Sequence, residues 1–295
     1  GYGVNVSYAT AREINHLTLD NEQKFIPYKP ANDPDTSLRH LFNGQVLSEI
    51  FNASLSYTYR PAIKTRHQFK ISYNRNRIDA AVAKINPNYF NNGKLSIVYP
   101  ELSYSVDYNN VDYVAYPLKG FMGDAQLVRK GIGKDINLWQ LTAKGTRGWE
   151  IGKKLYYGLQ GYGLVKLPFD QPYFNQRAFG YGDLFLRGLE KYVIDGVAAG
   201  MIRNTLRKEI FRFDIPFLFS RSHDRIPFKV YVKTYGDMGY AYNKTFLQNS
   251  LTNRMMYTAG AGIDFLTLYD VVFRFEYSCN QLGQKGLFLH FKNDF

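Results

Sequence analysis

Apolar and polar residues alternate one for one along most of this chain. Between Leu47 and Tyr59, one face collects Leu47, Phe51, Ala53, Leu55, Tyr57 and Tyr59, and the other collects Ser48, Asn52, Ser54, Ser56 and Thr58. Phe69, Ile71 and Tyr73 alternate with Gln68, Lys70, Ser72 and Asn74; near the end Phe273, Phe275 and Tyr277 alternate with Arg274, Glu276 and Ser278. A period of two places successive side chains on opposite faces of a β-strand. About twelve such segments follow one another, near 1–11, 44–60, 66–78, 94–109, 120–131, 136–150, 153–167, 199–215, 227–243, 254–267, 270–281 and 286–295. Many reach ten residues or more. That is longer than strands of soluble sheets and suits a tilted strand that crosses a bilayer. Links such as Gly131 to Asp135 and Gly283 to Lys285 read as hairpin turns. Two longer irregular stretches remain, Asp20 to Asn43 and Phe169 to Val197. No helix beyond a couple of turns and no internal domain boundary is expected. The predicted fold is all-β: an antiparallel transmembrane β-barrel occupying 1–295.

Composition narrows the class. Aromatic residues make up 17% of the 295, with 25 Tyr and 22 Phe against 2 Trp, a balance that favours strands and membrane–water boundaries. Mean hydropathy is −0.34, and no run approaches the length of a membrane-spanning helix. Barrel strands escape such averages because only one face is apolar. The single cysteine, Cys279, supports neither a disulfide nor a thiolate zinc site; it shares a face with Phe273, Phe275 and Tyr277 and reads as a small lipid-facing residue. The net charge of +12 is spread along the chain without a nucleic-acid motif, which points to a cationic barrel interior and rim and not to nucleic acid. The chain opens Gly-Tyr-Gly with no leader pattern and in strand register, so more protein is expected before Gly1.

Catalytic chemistry finds no support. His16, His40, His67, His223 and His290 are scattered without metal-ligand spacing, and no metal is expected. No Gly-x-Ser-x-Gly elbow occurs, and "GIGKD" at 131–135 lacks the spacing of a phosphate loop and reads as a turn. No enzyme activity and no cofactor is expected.

Four stretches then fall in order: "DYNNVDYVAYPLKGF", "FGYGDLFLRGLEKYVIDG", "IRNTLRKEIFRFDIP" and "VYVKTYGDMGYAY". In the third, Arg203, Thr205, Arg207 and Glu209 share one face and Ile202, Leu206 and Ile210 the other. In the strand from Phe228 that contains the fourth, Phe228, Val230 and Val232 face lipid while Lys229, Lys233 and Asp237 face inward. Two carboxylates thus project from neighbouring strands into one interior. The last strand places Leu287, Leu289, Phe291 and the terminal Phe295 on one face, with Phe288, His290 and Lys292 on the other, a pattern similar to the C-terminal insertion signal of Gram-negative outer-membrane barrels.

These features resemble the barrel domain of the BamA/TamA superfamily of outer-membrane assembly and translocation proteins, the bacterial surface antigen family, which includes FhaC-like secretion partners. The resemblance runs from about Lys94 to Phe295. The family's sixth extracellular loop carries (V/I/L)-R-G-(F/Y); here it reads Leu186-Arg187-Gly188-Leu189, with Leu where an aromatic is usual. The resemblance implies that 169–198 is a long extracellular loop folded into the lumen and that Arg187 pairs there with Glu209 and Asp237. Guanidinium–carboxylate pairing is planar and strong where water is partly excluded. Gly188 would let the loop tip turn sharply against the wall.

The family has sixteen strands, so the first strands and any POTRA domains are expected upstream of Gly1. The implied function is assembly, insertion or translocation of other proteins at the outer membrane of a Gram-negative-type bacterium, or of an organelle derived from one. A weak barrel seam would act there without nucleotide. Implied partners are outer-membrane lipids, client outer-membrane or secreted polypeptides, and periplasmic or lipoprotein subunits. Two other readings stay open: a passive anion-preferring channel, and a membrane anchor for an upstream patatin-like lipase domain.

Overall fold

The computed structural model describes residues 1–11, 47–133, 135–182, 184–216, 225–244, 251–267 and 271–291. Asp20 to Asn43, His16, His40, His223 and Phe295 lie outside them. The alternating segments become one antiparallel sheet: β1 (Tyr2–Ala11), β2 (Ser48–Ala62), β3 (Thr65–Ile78), β4 (Ser96–Val111), β5 (Gly120–Lys130), β6 (Leu138–Gly152), β7 (Leu155–Leu167), β10 (Ala198–Pro216), β11 (Arg225–Tyr242), β12 (Met255–Leu266), β13 (Val272–Asn280) and β14 (Lys285–His290). The sheet order is the chain order, from β1 to β14, over twelve strands. The segment between β7 and β10 carries a 3-10 turn, Tyr173–Asn175, and its own two-stranded ladder of β8 (Arg177–Phe179) with β9 (Ile194–Asp195). One short helix, α1 (Ala80–Ile85), follows β3, with the Asp79 carboxylate capping the Ala81 amide at 2.8 Å. No helix among the described residues is long and apolar enough to cross a membrane.

Side chains are distributed inside out compared with a soluble sheet. The outward positions are apolar and exposed: Leu55, Tyr57, Phe69, Ile71, Tyr73, Leu102, Leu127, Leu141, Ile202, Leu206, Val232, Tyr257, Phe275 and Tyr277. The buried positions on the other face are polar or charged: Ser54, Ser72, Asn74, Thr146, Lys166, Arg203, Thr205, Glu209, Lys233, Asp237, Asp264, Arg274 and Glu276. Water does not reward that arrangement; a hydrocarbon surround does. Cys279 is half-buried, at the outward parity of Phe275 and Tyr277. Val230 keeps the expected outward parity, directly opposite Phe265 on β12, but is covered there.

The sheet is strongly curved. Tyr116, in the connection between β4 and β5, donates its hydroxyl to Asp264 Oδ2 on β12 at 2.7 Å. On a flat sheet the strands β5 and β12 would lie roughly 24 Å apart, at about 4.8 Å per strand. Curling brings them across a shared concave face. The three buried apolar clusters sit there: one around Leu47, Val82, Phe90 and Tyr99, one around Phe179, Leu186, Leu189 and Met256, and one around Tyr116, Tyr231 and Val272. Connections at one end of the sheet are mostly short (63–64, 153–154). At the other end lie the long segment 168–197 and the helix-bearing link 79–95. Among the described residues no ladder joins β1 to β14.

Candidate functional site

The segment between β7 and β10 lies across the concave face and is tied down at many points. At its start, the Tyr173 amide donates to Asn88 O at 3.1 Å, beside α1. Lys166 Nζ, at the end of β7, donates to Asn175 O at 2.6 Å and Arg177 O at 2.5 Å, binding the first turns of the segment to the wall. Its middle is a turn over Leu186 to Leu189, closed by a Leu189 N–H bond to Leu186 O at 2.9 Å. Both leucines are buried among Leu164, Phe179, Tyr192, Met201, Leu251 and Met256. Their burial anchors the turn and leaves the arginine between them aimed at the wall.

Arg187 meets β11 and β10. Its Nε donates to Asp237 Oδ2 at 2.8 Å, and a second guanidinium N–H donates to Asp237 Oδ1, so the pair is bidentate. The Arg187 backbone amide also points at Asp237 Oδ2, at 3.3 Å. The remaining guanidinium edge donates to Thr205 Oγ1 at 3.0 Å and to Asn204 O at 3.4 Å. Its face lies 4.0 Å from the ring centroid of Tyr235. Leu189 stands where the family motif has an aromatic, and in this chain the aromatic partner of the guanidinium comes from the wall, two residues before Asp237. The side chains are almost sealed, with Arg187 6% and Asp237 0% exposed. Gly188 has φ +88°, and a Cβ there would lie 2.8 Å from Ser278 Cβ, so the turn touches β13 only because the residue is glycine.

Glu209 is a correction to the sequence reading. It faces inward and is buried, as its parity requires, but its partners are Lys154 Nζ at 3.0 Å, Arg212 at 3.1 Å and the Tyr231 hydroxyl at 3.3 Å. Glu209 lies four residues beyond Thr205 on β10, about 13 Å along the strand, out of reach of a guanidinium seated on Asp237. Sequence reasoning did not single out Glu276 on β13, a buried carboxylate whose Oε1 lies 2.5 Å from Lys233 Nζ. Period two already placed Thr205, Tyr235 and Glu276 on inward faces; nothing local marked them as parts of this site.

Beyond Arg187 the segment reaches the edge of the sheet. Gly188 O accepts from Asn280 Nδ2 at 2.9 Å, and the Tyr192 hydroxyl donates to Gln284 at 2.9 Å. Glu190 Oε1 lies 3.0 Å from His290 Nε2 on β14, and the same nitrogen lies 3.4 Å from Glu276 Oε2. Lys233 Nζ sits between Asp264 Oδ1 and Glu276 Oε1, at 2.5 Å from each. The connection 112–119 enters from the short-turn end. Its Tyr116 packs tilted against Tyr231, with centroids 5.1 Å apart, and lies under the Arg207 guanidinium at 5.0 Å.

Asp195, in the two-residue strand β9 of the segment, is fully buried. Burial pushes its carboxyl up from its ordinary 3.8 to about 6, against hydrogen bonds from the Tyr181 and Tyr173 hydroxyls and the charges of Lys166 and Arg177. Between those two values the unfolded segment has lost the proton and the folded one has kept it. Stability therefore falls as pH rises through about 4 to about 6, by at most about 3 kcal/mol, and is level above that window. Urea midpoints at pH 4 and pH 7 should show the drop in the wild type and lose it in Asp195→Asn; an equal drop in that variant would place the effect elsewhere.

The C-terminal residues Leu287, Leu289 and Phe291 all point outward and are exposed.

No family model and no curated protein matches the sequence. Among solved structures, the chain is similar to BamA from Haemophilus ducreyi lacking POTRA domains 1–3, with a TM-score of 0.57 at 14% identity over 83% of this chain. This chain covers 53% of the length of that one. At that identity the likeness is one of fold alone: a curved antiparallel sheet like that of the BamA barrel.

Proposed function

We propose that this chain is an outer-membrane protein assembly, insertion or translocation factor of the BamA/TamA kind. The observation that carries the reading is the segment 168–197 held across the concave face by the Arg187–Asp237 clasp. A channel needs an open path. Here the concave face is occupied from one end by that segment and from the other by the connection bearing Tyr116. The exposed apolar outer face supports insertion in the outer membrane, with the long connections outside the cell. The chemistry needed is modest. A sheet whose last described strand, β14, is only six residues long offers a weakly held edge, and an incoming strand pairs with such an edge through its backbone. Nucleotide, metal and cofactor play no part in that step. In this reading the curved sheet is part of a barrel, and β14 contributes one side of its seam.

Reconstituted vesicles test it. Vesicles carrying the protein should fold an added unfolded outer-membrane protein faster than empty vesicles, and planar bilayers should show only small, irregular currents. Equal folding rates would overturn the assembly reading. A high, steady, anion-selective current would put a passive channel in its place.

A further inference from the structure

The cluster of Glu190, Glu276 and His290 has a geometry that ion pairing alone does not call for. An imidazole nitrogen carries at most one proton, yet two carboxylates are aimed at the same Nε2, from 3.0 Å and 3.4 Å. The three ligand atoms lie within 4.8 Å of one another. Tetrahedral Zn²⁺, with bonds of about 2.1 Å to nitrogen and oxygen, spaces its ligand atoms about 3.4 Å apart. The surroundings hold each ligand in place. Lys233 occupies Glu276 Oε1 at 2.5 Å and leaves Oε2 turned to the histidine. Phe185 stacks on the imidazole, with centroids 5.8 Å apart and planes at 20°. Glu190 is fixed by the turn that Arg187 and Gly188 anchor. Partners of this sort orient the ligands of metal sites.

We propose that Glu190, Glu276 and His290 form a binding site for a divalent transition cation of the Zn²⁺ type. One imidazole with two carboxylates suits zinc; calcium and magnesium take oxygen ligands. The three ligands come from three pieces of chain: the long segment, β13 and the edge strand β14. A bound ion would therefore tie the segment to the edge of the sheet, in addition to the Tyr192–Gln284 and Asn280–Gly188 bonds already there.

Calorimetric titration of Zn²⁺ into the protein in detergent micelles tests the site. Wild type should take up one more zinc ion than either Glu190→Gln or His290→Gln. Zinc should raise the unfolding temperature of the wild type by several degrees, and of neither variant. Tyr192→Phe, which removes a neighbouring tether without touching a ligand, should bind zinc as wild type does. Equal stoichiometry in wild type and Glu190→Gln, or no uptake by wild type, would overturn the proposal. Glu190 lies outside the main sheet, so its variant decides the matter even where His290→Gln fails to fold.

Discussion

Replacing Arg187 by alanine should release the long segment from the concave face and destabilise its docking by about 3–5 kcal/mol. The size follows from what is left behind. Asp237 is fully buried, and without the guanidinium its carboxylate loses its bidentate partner, for which the backbone amide at 3.3 Å is a weak substitute. Thr205 and the face of Tyr235 lose their partner as well. Limited proteolysis within 168–197 reads the change directly, since cleavage tracks the population of the open segment. Combining Arg187→Ala with Asp237→Asn should cost less than the sum of the two, with a coupling of about 1–3 kcal/mol, because a neutral amide no longer needs the cation. Arg187→Ala and Glu209→Ala should add, since Glu209 is held by Lys154 and Arg212. An unchanged cleavage rate in Arg187→Ala, or strong coupling to Glu209 and none to Asp237, would remove the clasp as the holding contact.

Lys233→Met is expected to be as damaging, and for the wall itself. Lys233 is the shared cation of Asp264 and Glu276, and all three side chains are at most 3% exposed. Methionine fills a similar volume but leaves two buried carboxylates on adjacent strands, and breaking such a group by removing one partner costs about 3–5 kcal/mol. Asp264 keeps the Tyr116 hydroxyl, so the connection 112–119 is pulled upon too. The chemical-denaturation midpoint in micelles measures the loss. Adding Asp264→Asn and Glu276→Gln to Lys233→Met should recover most of it, because a neutral trio has no charge to desolvate. A Lys233→Met midpoint equal to wild type, or no recovery in the triple variant, would show that the ion group does not hold β11, β12 and β13 together.

The legible parts of this molecule are those set by local periodicity. All twelve sheet strands correspond to alternating stretches in the sequence, because a two-residue period survives whatever the strand pairs with. The same parity placed Glu209, Asp237 and Lys233 inward and Ile202, Leu206 and Val232 outward. It did not foretell that Val230, outward beside Phe265, would be covered, because that cover comes from other strands. The histidines showed no metal spacing along the chain, and His290 meets Glu190 across 100 residues. A spacing rule sees ligands only when one element carries several of them.

By itself, then, the sequence determined an all-β antiparallel sheet with an apolar outside and a charged inside, and an arginine turn destined for that inside. It could not choose which inward carboxylate the arginine meets. Glu209 and Asp237 share a face and a charge, and they differ only in depth along neighbouring strands. Depth is decided by sheet curvature, by register and by where Leu186 and Leu189 find their apolar pocket, all of them long-range terms. The tertiary structure gave Arg187 to Asp237, supplied the stacking ring from Tyr235, and brought Glu190 to the edge strand.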